Sequence, residues 1–174
     1  MGLEHGYIQV YTGQGKGKTT AALGLALRAL GAGLRVYLVH FLKENPTSEH
    51  KALEIFSDRI TVRFAGREGF IIGAPVSEDI DTARKGLAEV RSALVTNQYD
   101  VVILDEANTA VHTGVLNVND LLSVLNTRPA DTELILTGRN APEEVIACAD
   151  LVTEMREIKH YFDRCVTARR GIEL

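Results

Sequence analysis

Nine residues, Thr12-Gly13-Gln14-Gly15-Lys16-Gly17-Lys18-Thr19-Thr20, constrain this chain more than any other segment. They stand between an apolar run, Tyr7–Tyr11, and a stretch rich in Ala and Leu, Lys18–Ala32, that reads as a helix. Glycines at alternate positions can adopt positive φ and leave no side chain between the backbone amides and an incoming anion. The first turn of the helix adds unpaired N–H groups and the positive end of its dipole. Strand, glycine loop and helix in this order predict a phosphate-binding unit, with Lys18 bringing charge to the phosphates and Thr19 a hydroxyl for magnesium. Lys18, at the start of the helix, is expected to be exposed. Counting back from Gly17-Lys18-Thr19, the first glycine of the usual pattern falls on Thr12, and Gly13 comes one place late. The plain alternative is a glycine-rich turn with solvated lysines, which the flanking strand and helix disfavour.

Strand and helix patterns alternate to the far end. Arg35–Leu42 reads as a second strand, Ser48–Phe56 as a short helix and Ile60–Phe64 as a more exposed, alternating strand. A glycine-rich loop, Gly66–Pro75, leads to a long helix that Ser77 can cap and that reaches about Thr96. Its apolar residues Ile80, Ala83, Leu87, Val90 and Leu94 share one face. Val101–Leu104 is a buried strand, Val118–Leu125 a helix, Leu134–Leu136 a strand, Pro142 to about Ala149 a helix and Leu151–Met155 the last strand. From Lys159 onward no period is visible. The alternation predicts an α/β fold, a parallel sheet with helices on both faces and ligands at the carboxyl ends of its strands. Without a linker or repeat, residues 1–174 are expected to form a single domain.

Val101-Val102-Ile103-Leu104-Asp105-Glu106 is an apolar strand that ends in two carboxylates. Parallel to the first strand, it is expected to bring Asp105 and Glu106 beside the phosphate loop, to hold magnesium directly or through water. The alternative is that Asp105 caps the next helix. Of the histidines His5, His40, His50, His112 and His160, none stands four residues from another, so a helical metal pair is not available. His40, near the end of its strand, either faces the site or is a satisfied core histidine. No Gly-x-Ser-x-Gly elbow supports acyl transfer. A net charge of -4 and few, dispersed aromatics argue against a nucleic-acid partner. Cys148 and Cys165 form no disulfide framework, and no run approaches the roughly 20 apolar residues of a membrane span. With no export pattern at Met1–Tyr11, the expectation is a cytoplasmic protein.

These segments resemble the P-loop type ATP:corrinoid adenosyltransferases, which act on cob(I)yrinic acid a,c-diamide or cob(I)alamin. The likeness begins with Gly13-Gln14-Gly15-Lys16-Gly17-Lys18-Thr19-Thr20, followed by Ala21-Ala22-Leu23-Gly24 and Arg28-Ala29-Leu30-Gly31. Glu68-Gly69-Phe70 looks like the family's corrinoid-facing loop and Leu104-Asp105-Glu106 like its magnesium strand. A turn, Leu136-Thr137-Gly138-Arg139-Asn140-Ala141-Pro142, follows. Thr153-Glu154-Met155-Arg156, Lys159-His160, Phe162-Asp163 and Gly171-Ile172-Glu173 then match the tail.

The resemblance implies a P-loop NTPase fold similar to RecA, a homodimer and a transferase of adenosylcobalamin biosynthesis or salvage. Cobalt(I) of the corrinoid attacks the 5′ carbon of ATP, and triphosphate leaves. The implied ATP site is Gly13, Gln14, Gly15, Lys16, Gly17, Lys18, Thr19 and Thr20. Thr19 and Glu106 hold magnesium, with Asp105 at or just behind the ion, and Phe70 and Ile72 face the corrinoid. Lys18, Thr19 and Glu106 carry catalysis, and a flavoprotein is a candidate reductant. Cobalt(I) is already a strong nucleophile, so the site needs no general base and must instead stabilise charge growing on the triphosphate. The chain departs from the family pattern at Gln14, where Asn is frequent, at Ile72, where Trp is usual, and at Cys165, where Gly is usual. A rival on the same fold is an ATPase or small-molecule kinase that uses Glu106 to position water. A third reading is a module that carries corrinoid without transforming it.

Overall fold

The computed structural model describes residues 2–67 and 73–173. Glu68, Gly69, Phe70 and Ile72, which the resemblance sets on the corrinoid side, lie outside the described residues. Among the described residues the strands are β1 (Ile8–Thr12), β2 (Val36–Phe41), β3 (Ile60–Ala65), β4 (Val101–Asp105), β5 (Glu133–Thr137) and β6 (Leu151–Glu154). They form one sheet in the order β3-β2-β4-β5-β1-β6, and every neighbouring pair is parallel. Parallel strands require crossovers. Helices α1 (Lys18–Gly31), α2 (Ser48–Leu53), α3 (Ser77–Val95), α4 (Ala107–His112), α5 (Val118–Leu125) and α6 (Glu143–Ala147) lie in them.

Every residue of β2 and β4 is buried, as a sheet covered on both faces demands. The period of two divides their side chains between two cores. On one face Val36, Leu38, Val101, Ile103 and Ile135 meet Ala22, Ala26, Ala29 and Leu30 of α1. On the other, Phe41, Val102, Leu104 and Leu136 pack with Ala83, Leu87, Val90 and Leu94 of α3 and with Leu121 of α5. Each fully buried leucine contributes about 1.5–3 kcal/mol relative to an exposed one. The expected α/β architecture is therefore present, and no described helix is long and apolar enough to cross a membrane.

Local departures have physical causes. A short helix, α4, follows β4 directly where none was expected, and α6 ends at Ala147, not near Ala149. Beyond Lys159 the chain makes a 3₁₀ turn, Tyr161–Arg164. Ser77 does not cap α3: it is the first helical residue. The Asp79 carboxylate instead accepts the Val76 N–H at 3.0 Å and the Arg67 Nε–H at 2.8 Å. Charge on that carboxylate is favoured at a helix start, and Arg67 with the Val76 amide holds its pKa below the ordinary value.

Gly86 lets α3 approach the sheet. A Cβ there would lie 2.3 Å from the Cβ of Ala65 at the end of β3. Helix propensity alone favours Gly86→Ala by about 1 kcal/mol, but overpacking costs roughly 1–3 kcal/mol. Denaturant titration should show Gly86→Ala destabilising the fold by about 1 kcal/mol, and the penalty should vanish in an Ala65→Gly background. Stabilisation by Gly86→Ala alone would contradict the close approach.

Candidate active site

Strand register brings the carboxyl ends to one edge. Tyr11 lies beside Thr137, Thr12 beside Glu154 and His40 beside Asp105. Over that edge opens a cleft of about 1160 Å³, walled by Gln14–Thr20, by the start of α2, by Glu106 and Arg139, and by the tail.

The phosphate loop is held by two neighbouring turns. Gly13 and Gly17 have φ of 95° and 120°, a region that glycine enters without strain. At Gly13 a Cβ would also come within 2.4 Å of the Met155 carbonyl oxygen. Met155 donates its N–H to Thr12 O at 2.8 Å, and Gly15 donates to Met155 O at 2.7 Å. Across the loop the Gln14 amide donates to Asn140 Oδ1 at 3.0 Å, and the Ala141 N–H donates to Thr12 Oγ1 at 3.2 Å. Thr12, where the usual pattern has glycine, thus uses its hydroxyl to tie the loop to the turn after β5.

Lys18 is buried, at 7% exposure, and not exposed as its place at a helix start suggested. Its ammonium donates to the carbonyls of Gly13 and Gly15, each at 2.7 Å. Burial lowers its pKa from the usual lysine value, and the Glu106 charge opposes that shift. Two of its three N–H donors are engaged in this way, which leaves one for a phosphate oxygen. Lys16 turns to the tail instead, meeting the Glu173 carboxylate at 2.7 Å and the Tyr161 hydroxyl at 2.8 Å. Arg169, Lys16 and Tyr161 hold the Glu173 carboxyl well below the usual carboxylate range.

Asp105 ends β4 and is fully buried. Its Oδ1 accepts the Thr137 hydroxyl at 2.7 Å, its Oδ2 lies 2.8 Å from His40 Nδ1, and the Lys43 ammonium is 4.0 Å away. Burial alone would raise its pKa; the His40 ring, the Thr137 hydroxyl and Lys43 together outweigh burial and hold the carboxyl below its ordinary value. Asp105 therefore does not cap the next helix. Glu106 occupies the position before α4, with a left-handed φ of 61°. That conformation costs a non-glycine residue about 1–2 kcal/mol. A hydrogen bond offsets it: the Glu106 N–H donates to Thr137 Oγ1 at 2.9 Å. The Glu106 side chain reaches the cleft, where one oxygen accepts the Thr109 hydroxyl.

The structure thus brings Gln14, Gly15, Lys16, Gly17, Lys18, Thr19, Thr20 and Glu106 to one cleft, while Asp105 stays beneath it. β4 runs parallel to β1, as expected, but is not its neighbour: β5 stands between them, and Thr137 bridges the gap. Among the described residues no group of three or more His, Cys, Asp or Glu is placed to hold a metal ion. A Thr19 hydroxyl and a Glu106 carboxylate nevertheless suit magnesium on a nucleotide, since that ion takes its other ligands from phosphates and water. Sequence reasoning missed Arg139 and Lys43, both on the cleft wall. The turn holding Arg139 carries a family likeness, but nothing local marks Lys43, whose place depends on β2 lying beside β4.

In fold the chain is similar to the flagellar accessory protein FlaH from Methanocaldococcus jannaschii, with a TM-score of 0.60 and 16% identity over 87% of this chain and 72% of that one. In sequence it is 36% identical to the corrinoid adenosyltransferase of Escherichia coli (strain K12), over 98% of this chain and 86% of that protein. The corrinoid adenosyltransferase of Pseudomonas aeruginosa is 34% identical over 98% of this chain and 84% of its own length. The corrinoid adenosyltransferase CobA of Salmonella typhimurium is 36% identical, with 98% and 86% covered. Residues 4–174 match throughout, and the chain belongs to the ATP:corrinoid adenosyltransferase BtuR/CobO/CobP family.

Proposed function

We propose that this chain transfers the 5′-deoxyadenosyl group of ATP to the cobalt(I) of a corrinoid and releases triphosphate. The observation that carries this reading is the gathering of Lys18, Arg139 and Lys43 around the phosphate loop in one cleft. In the reaction an electron pair of cobalt(I) forms the bond to C5′, and the C5′–O bond breaks toward the triphosphate. No proton has to move, and the growing negative charge falls at the loop end. Preorganised amides and cations there stabilise it. Magnesium, bound through Thr19 and Glu106, would neutralise part of that charge. Asp105 supports Glu106 from beneath through Thr137. Family membership favours this transfer over the γ-phosphate chemistry of an ATPase or kinase on the same fold.

Residues 1–174 act in this reading as one domain, in the cytoplasm and as a homodimer, with a flavoprotein as reductant. Family likeness supports each of these assignments. Family likeness assigns Phe70 and Ile72 to the corrinoid. Phe70 displaces the lower ligand of cobalt(II), and the aliphatic Ile72 excludes solvent from that face.

Lys18→Ala should lower the rate of carbon–cobalt bond formation by about 10²-fold or more, as loss of a charge-stabilising group does. Circular dichroism should show the helix content kept. Unchanged ATP binding and turnover would remove Lys18 from the phosphate site.

Thr19→Ala and Glu106→Gln should each raise the magnesium concentration needed for half-maximal turnover by roughly tenfold or more. Full activity after chelation of all divalent cations would contradict the magnesium assignment.

Phe70→Ala should spare turnover that begins from chemically reduced cobalt(I) and impair turnover that begins from cobalt(II). Equal loss in both assays, with a lower melting temperature, would make this residue part of the packing only.

A further inference from the structure

Two buried histidines join the wall of the cleft to its floor. His40, on β2, has no exposure to solvent, and His50, on α2, has 7%. Their Nε2 atoms lie 2.8 Å apart. Phe64 of β3 stacks on the His40 ring at 5.4 Å and meets the His50 ring edge-on at 5.0 Å, so both orientations are held. His40 Nδ1 faces Asp105 Oδ2 at 2.8 Å, and His50 Nδ1 accepts the backbone N–H of Thr47 at 2.8 Å.

The proton order along this chain has one solution. A backbone N–H can only donate, so His50 Nδ1 carries no proton and its Nε2 carries one. That proton is donated to His40 Nε2, which is therefore bare. The His40 proton sits on Nδ1 and is donated to Asp105. From Asp105 the sequence continues through the Thr137 hydroxyl to the Glu106 N–H. At one end stand Ser48, Glu49 and Ala52 of α2, on the cleft wall; at the other stands Glu106, on its floor.

We infer that His50 and His40 are positioning residues, which lock the α2 wall to Asp105 and so fix the setting of Glu106 toward the nucleotide-bound magnesium. The inference rests on the proposed magnesium role of Glu106. Apolar side chains of the same volume would fill the space without burying polar atoms, yet they would leave Asp105 Oδ2 without a hydrogen-bond donor, which is costly for a buried carboxylate oxygen. Polar atoms whose donor order is forced orient the carboxylate as packing alone does not. Burial lowers the His50 pKa, in keeping with a neutral ring.

Nitrogen-resolved NMR of the unaltered chain reads the tautomers directly: His40 protonated at Nδ1 and His50 at Nε2. Calorimetry of ATP binding, with and without magnesium, then compares His50→Ala, His50→Gln and Glu106→Gln. His50→Ala should weaken magnesium-dependent binding about tenfold, the low end for loss of an outer partner of a metal ligand, and leave metal-free binding unchanged. His50→Gln, whose amide can donate at the Nε2 position, should restore it. His40 protonated at Nε2 would overturn the inference. So would a His50→Ala variant that melts lower but binds ATP with magnesium as the unaltered chain does. If Glu106→Gln leaves the magnesium dependence intact, the magnesium reading fails and the positioning role falls with it. If Glu106→Gln removes that dependence and His50→Ala does not, the histidine relay alone fails.

Discussion

The buried carboxylate of Asp105 sets the terms for the whole carboxyl edge of the sheet. Taking a carboxylate out of water costs several kcal/mol even after relaxation, and removing one partner from a buried pair typically costs about 3–5 kcal/mol. Such a group persists only where each oxygen has a donor. Here the donors come from the flanking strands: His40 from β2 and Thr137 from β5. The order β2-β4-β5 is therefore a requirement of the site as well as of the hydrophobic core. Thr137 also receives the Glu106 N–H, and so a charge beneath the cleft holds a strained backbone at its surface.

The two lysines of the phosphate loop do different work. Lys18 is drawn onto the loop's own carbonyls and stands at the start of α1, where helix amides and dipole already favour an anion. Lys16 instead joins the loop to Glu173 and Tyr161, so the tail forms a wall of the same cleft. A triphosphate at the loop would share its cleft with cations from the start of α1, from the turn after β5 and from the segment after β2. This distribution suits a reaction in which charge develops on the leaving group and no proton is transferred.

Local features were legible in the sequence. Gly13 to Thr20 between a strand and a helix announces itself, because phosphate binding needs contiguous residues. The apolar run into Asp105 and Glu106 is readable for the same reason. What depends on tertiary approach was not. His40 and His50 are ten positions apart and looked unrelated, yet β2, β3 and α2 press their rings together. Lys43 gains meaning only from β4 beside it. Continuous apolar runs placed β2 and β4 in the core but could not say that β5 would intervene between β4 and β1. Ser77 had the chemistry of a cap, but Asp79, with Arg67 behind it, made the better one.

Cleavage of ATP at its 5′ carbon is the step on which the proposed function stands. Phosphorus NMR of a reaction containing the chain, ATP, magnesium and chemically reduced corrinoid tests it most directly. Inorganic triphosphate should form in equal amount to the adenosylated corrinoid, with no early ADP. Accumulation of ADP and orthophosphate, with the corrinoid unaltered, would contradict it.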